Sequence, residues 1–239
     1  MIGIIIVNRN NYDFTNQLLQ DLSKQNNLDF ELTIYDNNSK NNLNKIKSWE
    51  KYTFIKDIIF NKKNVPLCHL WNKFYLDTDY DLLAFLNNDI RIPNNFISDT
   101  KNIFIENSEI GIVVHATNNP KYQIKTELNY KIFEQKYMQG WDFTIRRDAY
   151  TLIPKQLHFF CGDDFIYTHL YEKKWKLAYA LSSPIIHFCG KTIRVKGVSD
   201  SDIKEYKALG YKHGKLKVCK KISHIKPNLE KLKKHIALK

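Results

Sequence analysis

Four acids and a histidine stand beside apolar runs in this chain. Asp36 closes "ELTIYD", Asp89 closes "DLLAFLNND", and His187 follows "PII" at the end of "KLAYALSSPIIH". Asp163 and Asp164 sit together in "CGDDFIYTHL". A carboxylate at the end of a buried strand can hold a ligand, and Asn87 and Asn88 beside Asp89 add hydrogen-bonding groups without charge. Each residue also has an ordinary explanation. Asp36 in "DNNS" fits a polar turn. Paired acids at a helix start are favoured by capping and by the helix dipole. A lone His next to an apolar run is usually a satisfied structural side chain. The deciding matter is whether the fold gathers these residues at one rim.

Their setting predicts that it does. "IGIIIV" (2–7) is a continuous β-branched run, the pattern of a strand buried on both faces. Asp13 is placed to cap a helix in which Phe14, Leu18, Leu19 and Leu22 recur at helical spacing. Strands are predicted over 29–36, 52–60, 81–89 and 110–116. Helices are predicted over 43–49, over 64–76 with Pro66 in the first turn, and over about 93–105. This alternation implies parallel βαβ units with helices on both faces, and ligands in such sheets bind at the carboxyl ends of the strands. Asp36 and Asp89 both lie at predicted strand ends. The second half is less regular. A helix is predicted from Gly162, with Phe165, Ile166, His169 and Leu170 on one face, and "KLAYALSSPIIHF" makes one or two strands.

At 239 residues and 43% hydrophobic, the chain suits one large domain, or a domain with an appendage. Nothing in it approaches the roughly 20 apolar residues of a membrane span. "MIGIIIVNRN" has no basic start and too short an apolar stretch for a signal peptide, so a cytoplasmic protein is expected. Cys68, Cys161, Cys189 and Cys219 form no C-x-x-C pair, which argues against a zinc site or a disulfide framework. The net charge of +12 and pI of about 9.3 favour anionic partners, among them nucleic acid, phosphorylated ligands and an acidic membrane surface. The Lys-rich end, "KLKVCKKISHIKPNLEKLKKHIALK", carries much of that charge.

Taken in order, the motifs resemble the inverting family 2 glycosyltransferases of the GT-A type, in a version common among rhamnosyltransferase-like proteins. "IIIVNRN" resembles the family's first strand, with Arg9 where Tyr is usual. "IYDNNS" resembles the turn after the second strand, and "FLNNDI" the L-N-x-D form of the metal-binding motif. "GDDFIYTHLYEKKWKLAY…PIIHF" resembles the acidic motif, its helix, the following aromatic and the distal His. "GWDFTIRRDAY" resembles the segment near the acceptor. The match covers roughly residues 2–188. It departs from the family at 64–76, where Pro66 and bulky residues replace glycines.

The resemblance implies an α/β GT-A three-layer sandwich with a mostly parallel central sheet. Its domain would span 1–190, with a nucleotide-sugar half (1–115), an acceptor and catalytic half (116–190), and a basic extension over 191–239. It implies Mn²⁺ or Mg²⁺ held by Asp89 and His187, since a cation stabilises a departing diphosphate and hard oxygen ligands suit either ion. Donor contacts would come from Val7, Asn8, Asp36, Asn64 and Asn88. Trp141, Arg146 and Arg147 would meet acceptor or phosphate. Asp163 or Asp164 would be the general base; pairing the motif from its acids favours Asp164, and counting back from Trp175 favours Asp163. The donor would be a nucleotide sugar, with UDP favoured and dTDP or GDP as alternatives. The acceptor would be a glycan, or else a hydroxymethylated base in DNA. The basic tail could rest on an anionic membrane surface, which would make the protein peripheral rather than transmembrane. A non-catalytic, basic nucleic-acid-binding protein is the rival of another class, though acids at strand ends would repel phosphate. A Rossmann dehydrogenase is excluded, because no G-x-G-x-x-G follows the first strand.

Overall fold

The first strand, β1 (Ile2–Asn8), is buried along nearly its whole length, as a β-branched run with no polar alternation requires. In this computed structural model, which describes residues 1–40, 46–117, 129–134, 139–188 and 198–211, it lies inside a mixed, mostly parallel sheet. β2 (Phe30–Asp36) and β4 (Leu82–Leu86) flank it in parallel, and β3 (Ile55–Phe60) pairs with β2. Beyond β4 the order continues through β8 (Asp142–Arg146), β6 (Ile110–Thr117) and β9 (Lys176–His187). β8 runs antiparallel to both its neighbours. The short β5 (Ile90–Arg91) and β7 (Tyr130–Phe133) pair antiparallel with β9.

Helices cover both faces, which makes three layers. Ile5, Leu83 and Phe85 point to the side of α2 (Leu67–Asp77) and α4 (Gly162–Glu172), while Ile4, Ile6, Ala84 and Leu86 point to α1 (Tyr12–Leu22) and the start of α3 (Phe96–Glu106). The alternation of strand side chains thus feeds two cores. On the first side Phe85 stacks on Phe143, and Trp71 meets both rings edge-on. Such ring pairs add about 0.5–1.5 kcal/mol each beyond the area they bury.

Some local expectations change. Asp13 lies in the first turn of α1, and Asn11 occupies the cap position without a side-chain cap bond. Pro66 is the residue before α2, extended at ψ 137°, and the helix runs to Asp77. β3 starts at Ile55 rather than 52. The lysine-rich end and residues 43–45 of the expected helix over 43–49 lie outside the described residues. Residues 198–208 form α5 (Val198–Ala208), whose Tyr206 enters the α2–α4 core, so the packed body does not stop at residue 190.

Two devices set the rim. Arg91, two residues after Asp89, grips Asp21 of α1 with Nε and Nη2 at 2.6 and 2.7 Å, which ties β5 to the helix layer. Strand β9 pairs with β6 as far as Ala180 and rejoins it at Ile185, where Thr117 is only two residues beyond His115, the partner of Ala180. The surplus residues, Leu181 to Pro184, bulge, and a bulge is where a strand tolerates proline and bends. Past it, Ile186 and His187 pair with Arg91 and Ile90.

Candidate active site

At the carboxyl ends of β1, β2 and β4, short polar side chains satisfy one another. Asn88 donates to the Thr15 hydroxyl at 3.1 Å, Thr15 to Asn8 Oδ1 at 3.0 Å, and Asn8 Nδ2 to Asp36 Oδ2 at 3.0 Å. Every donation points toward the carboxylate, and bonds in such a chain polarise one another. Tyr12 adds a second bond to Oδ2 at 2.9 Å, and the Ser39 amide bonds Oδ1 at 3.0 Å. Burial pushes the Tyr12 hydroxyl up to about 12, with Asp36 adding to the effect, so it remains a donor. Asp36 is therefore fixed in place by several donors.

Part of the expected donor set faces inward. Asn8 is fully buried and Asn88 nearly so, and both spend their amides inside the protein. They brace the rim rather than line it. Val7 lies in the β1 ladder opposite Tyr35. Asn64 accepts from Asn37, whose side chain also bonds Val65 through both its N–H and its C=O sides. Tyr12, Thr15, Asn37 and Ser39 were missed by sequence reasoning; only the turn spacing from Asp36 to Ser39 carried a signal.

The end of β4 and the end of β9 meet next to this network. Asp89 is 1% exposed, and its Oδ1 is buried with no hydrogen bond. His187 Nε2 stands 3.4 Å from that oxygen, without hydrogen-bond geometry. The Trp141 ring stacks on the His187 ring at 4.7 Å and 19°, and its own Nε1 is also buried without a hydrogen bond. A buried carboxylate oxygen lacking a donor is costly and calls for an explanation. An oxygen and an imidazole nitrogen facing each other fit a divalent cation. Among the described residues no third His, Cys, Asp or Glu joins them.

The acidic pair opens α4. Cys161, before it, has φ 62°, a left-handed conformation rarely adopted by residues other than glycine. Its thiol is pushed up to about 12 by burial, with Asp164 and Asp163 adding to the effect, so it packs rather than reacts. Asp164 is buried, and Asp163 is half-buried with its carboxylate against Gly140.

Residues 139–142, "QGWD", link the two groups. Gln139 is held by Asp142 and by the His115 carbonyl, and accepts from the Tyr167 hydroxyl of α4. Gly140 receives Asp163, Trp141 stacks on His187, and the Trp141 carbonyl accepts from the Asn87 amide at 2.9 Å. Asp142 bonds His115 in a wholly buried pair at 3.0 Å. A Cβ on Gly140 would collide with the Asp163 carboxylate. Gly140→Ala should leave folding intact, shift the Asp163 carboxylate and lower about tenfold any turnover that needs it in place, since small misplacements are expensive where groups react. Steady-state kinetics with a thermal melt checks this.

A family model described as glycosyl transferase family 2 matches residues 3–173. The chain belongs to glycosyl transferase family 2. No curated protein matches it. Solved structures do, at the level of fold. S. aureus TarS 1–349 is 13% identical with a TM-score of 0.64, covering 78% of this chain and 60% of that one. The same protein in complex with UDP-GlcNAc matches at 14%, TM-score 0.64, over 80% and 59%. GalNAc-T7 with UDP, GalNAc and Mn²⁺ matches at 15%, TM-score 0.66, over 86% and 47%. The chain thus spans about 60% or less of the length of these structures, and the GT-A sandwich is what it shares with them.

The matched range of this glycosyltransferase holds Asp36, Asp89, Asp163 and Asp164, and stops short of His187, which the β5–β9 register carries to Asp89. Arg146 and Arg147 are not brought to the rim. Strand β8 starts there with Asp142 beside Leu86 and runs antiparallel, so Arg146 lies beside Leu82, where β4 begins. Arg146 bonds the carbonyls of Ile110 and Phe104, and Arg147 that of Tyr75, whose ring it covers. They brace the far end of the sheet, away from Asp36 and Asp89.

Proposed function

We propose that this chain is a metal-dependent, inverting transferase that moves a sugar from a nucleotide-sugar donor to an acceptor hydroxyl. The observation that carries the reading is the unpartnered Asp89 Oδ1 facing His187 beside the fixed Asp36. Asp36 reads the base, because a carboxylate accepts from the imide N–H of uracil or thymine. Asp89 and His187 would hold Mn²⁺ or Mg²⁺. When bound, the ion supplies Lewis-acid stabilisation of the charge on the departing diphosphate. Asp163 is the base. Its carboxylate abuts Gly140, in the segment that leads through Trp141 to His187, whereas Asp164 is turned further inside. Asp163 takes the proton of the acceptor hydroxyl, the oxygen attacks the anomeric carbon opposite the diphosphate, and the carbon inverts.

UDP is the favoured nucleotide, ahead of dTDP and GDP, because the S. aureus TarS and GalNAc-T7 structures carry UDP or UDP-GlcNAc. The rhamnosyltransferase-like motif order leaves the sugar open. A glycan is favoured over a hydroxymethylated DNA base. Residues 212–239 carry ten Lys and one Glu, so much of the +12 excess falls near the end of the sequence, after the motifs. A DNA acceptor needs basic groups around the site itself. No helix among the described residues is long and apolar enough to cross a membrane; the basic tail would hold a cytoplasmic enzyme against an anionic surface. A panel of UDP-, dTDP- and GDP-sugars with Mn²⁺, Mg²⁺ or EDTA tests the reading, with released nucleoside diphosphate as the signal. Release of UDP that needs the metal is expected. Release that ignores EDTA would remove the metal from the mechanism, and labelled sugar on hydroxymethylated duplex DNA would reverse the acceptor preference.

A further inference from the structure

Helix α5 lies beyond the matched family region, yet it grips the start of the helix that carries the acidic pair. Asp202 and Tyr206, four residues apart, share its inward face and are 1% and 2% exposed. A buried carboxylate needs donors, and Asp202 Oδ2 accepts two backbone amides, Phe159 and Phe160, both at 2.7 Å. These are the two residues before Cys161. A non-glycine residue in the left-handed region is strained and persists only where its surroundings fix it. Behind the junction, Cys68 Sγ fills the space that a side chain on Gly162 would need. Further along, Tyr206 meets the Thr168 hydroxyl at 3.1 Å, and Thr168 donates to the Asp164 carbonyl at 2.8 Å. Tyr206 stacks on Tyr211, whose ring meets Phe165 edge-on.

We propose that Asp202 is a positioning residue: by clamping the amides of Phe159 and Phe160 it holds the strained Cys161 turn and so sets the direction in which α4 presents Asp163. The proposal rests on Asp163 being the base. Helix α5 then helps to position Asp163.

Three full-length variants test it. Asp202→Ala removes the acceptor. Asp202→Asn keeps an oxygen able to accept both amides. Asp163→Asn tests the reading beneath. In Asp202→Ala, amides 159–165 should exchange with deuterium faster than in wild type, kcat should fall about 10–100-fold, and donor affinity should stay unchanged. Asp202→Asn should restore both protection and kcat to within about twofold, which a merely structural acid would not predict for turnover alone. Unchanged exchange in Asp202→Ala, unchanged kcat despite lost protection, or donor affinity falling in step with kcat would each overturn the proposal. If Asp202→Ala does not fold, Asp202→Asn still decides, because loss of protection or turnover in that variant contradicts the clamp. Wild-type turnover in Asp163→Asn would instead sink the base assignment, and the exchange data would separate that failure from a failure of the clamp.

Discussion

Asp163→Asn should bind the donor with wild-type affinity and turn over about 10²–10⁴-fold more slowly, the loss that follows removal of a general base. That range corresponds to roughly 3–5 kcal/mol of barrier. The amide keeps the shape of the side chain against Gly140, so the fold around it should survive. Asp164→Asn is the matched control. Asp164 is buried and contributes to the first turn of α4, so its replacement should cost stability of about 1 kcal/mol through weakened helix-start electrostatics, with turnover largely kept. Steady-state kinetics and nucleotide titration on both variants separate the two roles. If the losses fall the other way round, Asp164 is the base.

Asp89→Asn should abolish metal-dependent donor binding and yet leave the metal-free protein at least as stable as wild type. The reason lies in the buried, unpartnered Oδ1: a carboxylate kept from water without a donor weakens the fold until a cation arrives. Ligand binding to the native state raises stability by about 2.7 kcal/mol at 100 times the dissociation constant. For a domain of this size that is a rise in Tm of about 5–10 °C. Mn²⁺ with UDP should produce it in wild type and not in Asp89→Asn. A melt series with and without EDTA reads both effects. An equal rise in both proteins would place the ion elsewhere.

The first half of the fold was legible because strands buried on both faces are written as unbroken apolar runs, and Ile2 to Val7 and Leu82 to Leu86 are such runs. Asp36 was legible as a strand end for the same reason, whereas β4 stops at Leu86 and Asp89 sits three residues on, in the turn before β5. The roles of Asn8 and Asn88 were not legible, because sequence does not say whether a short amide at a strand end turns outward to a ligand or inward to a neighbour. Here Thr15, from the next helix, drew both inward. Arg146 and Arg147 were expected near the acceptor because "GWDFTIRRDAY" resembles the family's segment there, which also holds Trp141. An antiparallel strand converts closeness in the chain into distance: four steps of β8 at 3.4 Å each carry Arg146 about 14 Å from Asp142. Helix α5 was hidden inside a lysine-rich stretch that reads as a solvated extension. Its only apolar signal is the spacing of Ile203 and Tyr206, and its buried acid looks like any surface acid until the amides of Phe159 and Phe160 are seen.

The bulge in β9 has a consequence for how this site can vary. His187 reaches Asp89 by counting: the strand spends a fixed number of residues on β6, a fixed surplus at Leu181–Pro184, and arrives at β5 with the imidazole facing inward. Because strand side chains alternate, one residue gained or lost between Ala180 and His187 would swing the ring to the opposite face and bring Ile186 or Phe188 to Asp89. Spacing within this strand is therefore as much a part of what sets His187 against Asp89 as the histidine itself. Relatives should be free to change the chemistry of Leu181, Ser182 and Ser183 while being held to their number, and a length change there would part the two side chains with both still present in the sequence.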